Sequence, residues 1–204
     1  MSAFISSYCR ITNESCKLDG KLVDSYSVDS GTWAKQLYNC LDIDYPKFHK
    51  MDDLAKFAFL ATELASASLG TNHEYSDDEI GLCFANHSSS IVADSKFRIS
   101  YTNDEAPSPG VFVYTLPNIL MGEIAIRKKW FGDNRFLIQK EFDSKALLTQ
   151  IDLMLESESA AILAGWVEVN NEGIDVLVFL VEKTDRSATS LELNNEVLSN
   201  LHQN

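Results

Sequence analysis

The sequence predicts an α/β fold, a mixed sheet with helices packed on it, and three observations predict it. Apolar runs of strand length, such as residues 80–85 and 135–139, alternate with stretches of helical period. The last two apolar runs, 159–169 and 174–182, are separated only by Asn170-Asn171-Glu172-Gly173, which marks an antiparallel hairpin. Apolar residues make up 45% of the 204, enough to bury a substantial core without disulfides or metal. Strands joined through helices favour parallel neighbours and a hairpin demands an antiparallel one, so the sheet is mixed.

Taken in order, residues 4–11 alternate loosely and read as an opening strand. Residues 12–30 are polar and turn-rich, and 45–50 form a loop leading into a helix. That helix has the clearest pattern in the chain. Met51, Leu54, Ala58, Ala61 and Ala65 share a stripe that Phe57, Leu60 and Leu64 widen. Asp52 and Asp53 in its first turn complement the macrodipole, and Gly70 stops it. Residues 80–85 suit a buried parallel strand. A small polar loop, 86–90, follows, then a helical turn or two over 91–97. Residues 104–110, with two prolines and a glycine, read as a loop, and 111–114 as a brief strand. A helix is expected over 116–130, capped by Thr115, with Pro117 in the first turn and small Gly122 and Ala125 admitting a close backbone. After the turn at 131–134, residues 135–139 form a strand. Asp143 or Ser144 caps a helix running to Glu156. The hairpin comes next. The tail spaces Leu191, Val197, Leu198 and Leu201 at near-helical intervals. The whole reads as one domain, 1–204, with its core at about 4–183 and a helical tail at 189–202.

Net charge is −13, with a pI near 4.6. This excludes the basic face that nucleic acid requires and disfavours an anionic membrane surface. Cys9, Cys16, Cys40 and Cys83 form no CxxC pair and suit neither zinc nor a disulfide framework; free thiols in a reducing cytoplasm are the simplest reading. The N-terminal stretch lacks the basic and apolar regions of a signal peptide, and no apolar run reaches membrane-spanning length. No cofactor or metal site is expected.

The segments Val113-Tyr114-Thr115-Leu116-Pro117-Asn118 with Gly122, then Ala164-Gly165-Trp166-Val167-Glu168, carry a resemblance. Together with the order of elements from Phe4 to Lys183, they resemble the N-terminal half of β-ketoacyl-[acyl-carrier-protein] synthases, condensing enzymes of the thiolase-like superfamily. The resemblance implies one thiolase-like half. It implies a place for a nucleophilic cysteine at the junction between the 135–139 strand and the next helix. There the helix N-terminus stabilises a thiolate and an oxyanion. Here the junction reads Gln139-Lys140-Glu141-Phe142-Asp143-Ser144, and no cysteine follows Cys83. Counting back from Glu168 by the family's spacing places Lys140 and Glu141 at the nucleophile's position. The family's second half, with its two catalytic histidines, has no counterpart among His49, His73, His87 and His202.

No catalytic residue is therefore expected, although family membership alone would imply 3-oxoacyl synthase activity. The expectation is a noncatalytic synthase-like subunit of fatty-acid, polyketide or polyene biosynthesis. It would work as a homodimer, or as a heterodimer with a cysteine-bearing ketosynthase, and meet acyl carrier protein. Family members pair through the strand before the nucleophile, here 135–139; with the 116–130 helix it is expected at the interface. The half left without its mate should present an apolar face. His87, Thr115, Asn118, Gly122 and Gln139 are the candidate pocket or interface residues. An acyl-carrier or acyl-chain binding module is a second reading. A third is a small enzyme of different chemistry using His87, Lys140 and Glu141 in the same cleft, which requires those side chains to converge. Each residue also has a plainer reading: Lys140 as a salt-bridged surface lysine, Ser144 as a helix cap, Cys83 and Cys9 as buried hydrophobes, Arg127-Lys128-Lys129 as a solvated helix end.

Overall fold

A computed structural model of the chain describes residues 2–70, 74–102, 106–185 and 189–204. His73 and part of the 104–110 loop lie outside the described residues. The strands are β1 (Phe4–Thr12), β2 (Ser15–Leu18), β3 (Lys21–Ser25), β4 (Ile80–Asn86), β5 (Asn134–Ile138), β6 (Ala161–Asn170), β7 (Gly173–Glu182) and β8 (Leu191–Glu192). The helices are α1 (Trp33–Cys40), α2 (Asp53–Ala65), α3 (Ile91–Thr102), α4 (Pro109–Phe112), α5 (Ile119–Lys128), α6 (Ser144–Glu156) and α7 (Asn195–Gln203).

All eight strands join one sheet in the order β3-β2-β1-β7-β6-β4-β5, with β8 beside β1. β4 runs parallel to β5 and β6, while β6, β7, β1 and β2 pair antiparallel. The mixed α/β architecture expected from the sequence is the one observed.

Period-two alternation sends the central strands' side chains to two helix layers. On β7, Val176, Val178 and Leu180 enter a core shared with α1, α2 and α5. Leu177, Phe179 and Val181 enter a second core, built with Leu147, Ile151, Met154 and Leu155 of α6 and Leu198 of α7. β1 switches faces along its length. Ile5 faces the α6–α7 core, whereas Cys9 and Ile11 face α2. The cause is a register shift against β7 between Ile5 and Ser7, since one extra residue flips every side chain beyond it. Gly165 sits where β6 presses on β7: an added Cβ would stand 2.4 Å from the Leu177 carbonyl oxygen.

Several local expectations are corrected. Residues 12–30 hold two short strands, β2 and β3, that extend the sheet, and α1 lies where no element was read. Asp52 is the N-cap of α2, accepting from the Ala55 N–H, and only Asp53 lies in the first turn. The helix ends at Ala65, and Gly70 closes a separate 3-10 turn. Residues 111–114 are helical rather than extended: α4 runs into a 3-10 turn over Val113–Thr115. Thr115 does not cap α5, which begins at Ile119, after Pro117; its hydroxyl donates instead to the Phe112 carbonyl. Gly122 admits no close backbone, because a Cβ there would meet nothing within 4 Å.

Candidate functional site

Three parallel strands, β5, β4 and β6, end side by side at one edge of the sheet, a position where α/β folds place ligands. The β4–α3 loop and the β5–α6 junction meet there. The Gln139 N–H donates to the Asn86 carbonyl at 2.8 Å, which continues the ladder past β5. His87 Nδ1 lies 3.1 Å from the Gln139 carbonyl oxygen, a contact that needs the proton on Nδ1.

Glu168 near the end of β6 ties this corner down. One carboxylate oxygen accepts the backbone N–H groups of His87 (2.7 Å) and Ser88 (3.0 Å); the other accepts from Asn170 Nδ2 at 3.0 Å. Asn170 also donates to the Ser88 hydroxyl at 3.1 Å. Two adjacent backbone N–H groups form an anion-binding concavity, and here the chain's own carboxylate fills it. The loop turns sharply at Ser89, whose φ is +53°, a conformation few non-glycine residues adopt. Asn86 offsets that strain with bonds in both directions, to the Ser89 carbonyl and from its N–H. Ser90 then donates 2.8 Å to the Thr115 carbonyl and couples the loop to the approach to α5.

The β5–α6 junction forms an open pocket of about 500 Å³ lined by Gln139, Lys140, Glu141, Phe142 and Asn195, among others. Both amide atoms of Gln139 are buried and have no hydrogen-bond partner. Asp143 caps α6 as expected, accepting from the N–H groups of Lys145 and Ala146, so it takes two of the donors that would serve an oxyanion. Lys140 and Glu141 are exposed. Ser144 is buried and spends its hydroxyl on Asn195 (2.6 Å) and Ser199 (3.0 Å).

No sulfur reaches this corner. Cys83 is fully buried in mid-strand on β4, where burial pushes its thiol up to about 12. Cys9 and Cys16 lie 3.8 Å apart inside the other core, and burial raises Cys9 well above the usual thiol value. Burial disfavours the thiolate at both positions. Among the described residues, no group of three or more His, Cys, Asp or Glu side chains is placed to hold a metal ion.

The candidate residues therefore fall into two groups. His87 and Gln139 meet at the strand ends, while Thr115, Asn118 and Gly122 mark the entry and outer face of α5. Asn118 occupies the N-cap position without a side-chain capping bond. His87 is not among the residues that line the pocket shared by Lys140 and Glu141; its ring meets the backbone of Gln139, which does line it. The basic run is not a solvated helix end: Arg127 and Lys128 both pair with Glu63 of α2, and Arg127 also lies 5.0 Å over the Tyr45 ring. Sequence reading missed the anchoring by Glu168 and Asn170 and the contribution of Asn195. The Glu168 contacts span about 80 residues of chain, and no local pattern signals them.

A second cleft, of about 250 Å³, opens beside the same loop between Asp52, Ser89, Ser90, Lys96 and Asn170. Burial raises the Asp52 carboxyl to about 6 despite the Ala55 N–H and the nearby Lys96 and Lys56.

No protein-family model matches the sequence, and no curated protein does. Solved structures do match. The ishigamide ketosynthase/chain length factor aligns with a TM-score of 0.64 at 18% identity, over 92% of this chain and 64% of that one. A ketosynthase in complex with its chain length factor from Xenorhabdus doucetiae gives a TM-score of 0.63 at 12% identity, over 100% of this chain and 91% of that one. A type II polyketide synthase acyl-carrier protein in complex with its ketosynthase gives 0.62 at 11% identity, over 89% of this chain and 62% of that one. The chain thus spans less than two thirds of two of these and nearly all of the third. At such identities the matches speak to fold, and the chain has the thiolase-like fold of ketosynthase-type proteins.

Proposed function

We propose that this chain is a noncatalytic ketosynthase-type subunit, of the chain-length-factor kind, that pairs with a cysteine-bearing ketosynthase in polyketide or fatty-acid assembly. One observation carries the reading. The fold of a condensing enzyme is retained, while the strand-to-helix junction holds Gln139, Lys140 and Glu141 and no cysteine. Acyl transfer needs a nucleophile at such a junction, and both the exposed Lys140 and the committed Ser144 are poor substitutes. The alignment over 91% of one chain of a ketosynthase–chain length factor complex supports a ketosynthase-type subunit.

The pairing edge is β5. It is the last strand of the sheet, its outer ladder is open, and Ile138 is 56% exposed. Nine of the thirteen exposed large apolar side chains among the described residues fall between Ile91 and Ile138. Leu116 and Ile126 on the α5 side belong to that set, which is the composition of a surface awaiting a partner. Acyl carrier protein would meet the ketosynthase rather than this chain. The chain is strongly acidic, and Arg127 and Lys128 are already held by Glu63. The small-enzyme reading is less favoured, because His87 is not among the residues lining the pocket that Lys140 and Glu141 share.

The test is acyl loading of the co-expressed pair, read by intact-protein mass. The mass increase is expected on the ketosynthase alone. An acyl adduct on this chain that turns over would contradict the proposal.

A further inference from the structure

A third cleft, of about 560 Å³, lies away from the β5–α5 edge, where the end of β1, the start of β7 and the N-termini of α1 and α2 meet. That volume falls within the roughly 300–1,000 Å³ of small-molecule sites. Its walls include Tyr26, Trp33, Phe57 and Ile174, with Asn13 and Asp53 supplying polar atoms. Trp33 and Phe57 are buried and form the deep side, while Tyr26, 39% exposed, stands at the mouth. Both clefts described above carry a lysine, Lys96 in one and Lys140 in the other. This one is lined by the Asp53 carboxylate and, among the described residues, by no basic side chain.

The mouth is fixed by bonds on every side. The Tyr26 N–H donates to the Glu14 carbonyl at 2.8 Å, and its hydroxyl donates to the Gly31 carbonyl at 3.2 Å. Gly31 has φ +90°, a conformation a side chain would strain. Gln36 of α1 clasps the same loop. Its Nε2 donates to the Ser25 carbonyl and the Asp24 carboxylate, both at 2.8 Å, and its Oε1 accepts the Ser27 N–H at 3.0 Å. The Tyr26 and Trp33 rings stand 5.8 Å apart at 43°. The Trp33 indole N–H donates to the Thr12 carbonyl at 2.8 Å, so its polar atom is spent and the rest of the indole is left as wall. Across the cleft, Asn13 Oδ1 accepts the Ile174 N–H at 2.8 Å and ties the end of β1 to β7. One Asp53 oxygen pairs with Lys56 at 3.0 Å, and the other has no partner among the described residues.

We infer that this cleft is a binding site for an organic ammonium ion, a substituted amine whose charged nitrogen carries alkyl groups. Aromatic rings attract a cation placed against them, tryptophan most strongly. The lining carboxylate supplies a countercharge, and a net charge of −13 draws cations in general. An anion meets the reverse, a carboxylate and no lysine or arginine. A metal ion needs several oxygen ligands, which these largely apolar walls do not offer. A neutral apolar ligand would bury the same rings but strip water from Asp53 without giving it a partner. An alkylated ammonium suits both halves of the site: its alkyl groups bury against Phe57 and Ile174, and its charge sits among Tyr26, Trp33 and Asp53. Shielding of Trp33 from water would account for Tyr26 but not for a carboxylate beside an open cleft. The site shares no residue with the β5–α5 edge, so it stands independently of the pairing reading.

The test titrates two probes into the isotope-labelled full chain at constant ionic strength, read by the indole N–H resonance of Trp33. One probe is choline, a quaternary ammonium. The other is dimethylbutanol, in which carbon replaces the charged nitrogen. Choline is expected to shift the Trp33 signal saturably with a millimolar dissociation constant, and the alcohol to bind about tenfold more weakly. Tyr26→Ala and Asp53→Asn are each expected to weaken choline about threefold or more while the melting temperature stays near native, since both side chains are partly exposed. Equal affinity for the alcohol overturns the inference. So does the absence of a saturable Trp33 shift up to about 0.1 M choline, or an unchanged affinity in either variant.

Discussion

The flank carrying α6 and α7 and the edge carrying α5 and β5 belong to one sheet, yet they are finished differently. On the first, polar side chains face water and two polar groups tie the layer together: Asp175 holds His202, Trp166 and Arg10, and Ser144 holds Asn195 and Ser199. On the second, Ile126 is 59% exposed, Leu116 56% and Ile138 56%, beside an open strand. Folding alone explains the first surface. It does not explain the second, which costs solubility unless another protein covers it. The difference separates a surface finished by the chain itself from the edge where a partner is proposed.

That contrast can be broken by substitution, and the largest effect belongs to the interior. Gly165→Ala should destabilise the chain by about 3 kcal/mol or prevent folding, because the new methyl meets the Leu177 carbonyl at 2.4 Å and the rigid β6–β7 pair cannot yield. Chemical denaturation measures it, and a change below about 0.5 kcal/mol would show that the strands can separate there. Glu168→Ala comes next. It frees the His87 and Ser88 N–H groups and leaves Asn170 with one fewer acceptor, at about 2 kcal/mol. Amide exchange at Ser88 and Ser89 should rise along with the lower melting temperature. The smallest effect has the opposite sign. Asp52→Asn keeps a good helix cap and removes a carboxyl that burial raises to about 6. A raised carboxyl binds its proton more tightly in the folded state. The native chain therefore loses stability as pH climbs from the unfolded value near 4 through about 6, and is worst off above that. The variant should be about 1 kcal/mol more stable at pH 8 and equal at pH 3.5. Thermal melts across this range check it, and an unchanged gap between pH 3.5 and 8 would contradict it.

Much of this was legible in local pattern. The β6–β7 hairpin stands out because two apolar runs flank Asn171-Glu172. α6 stands out because Asp143 caps a regular apolar stripe. The junction without sulfur is visible by inspection. What escaped was nonlocal or overridden. α1 is only eight residues long, so its apolar stripe of Trp33, Ala34, Leu37 and Tyr38 is too brief to stand out. Val111-Phe112-Val113 has strand composition, but Ser108 caps and Pro109 opens a helical turn there, and Phe112 packs its ring against Phe97. Thr115 looked like a cap because hydroxyls cap helices, yet Pro117 delays the helix to Ile119. Phe142 and His202 stack across about 60 residues, and Arg127 and Lys128 find Glu63 over a similar span. Distances of that kind are set by the assembled layers, and no window of sequence contains them.

The most direct test of the central claim is the affinity of this chain for a cysteine-bearing ketosynthase of the kind proposed as its partner, measured by calorimetry with native Ile138 and with Ile138→Asp. A charge at the C-terminal end of the β5 pairing edge should weaken binding at least a hundredfold while leaving the melting temperature of the free chain unchanged, since Ile138 is 56% exposed there. Equal affinity for the two forms would contradict the account.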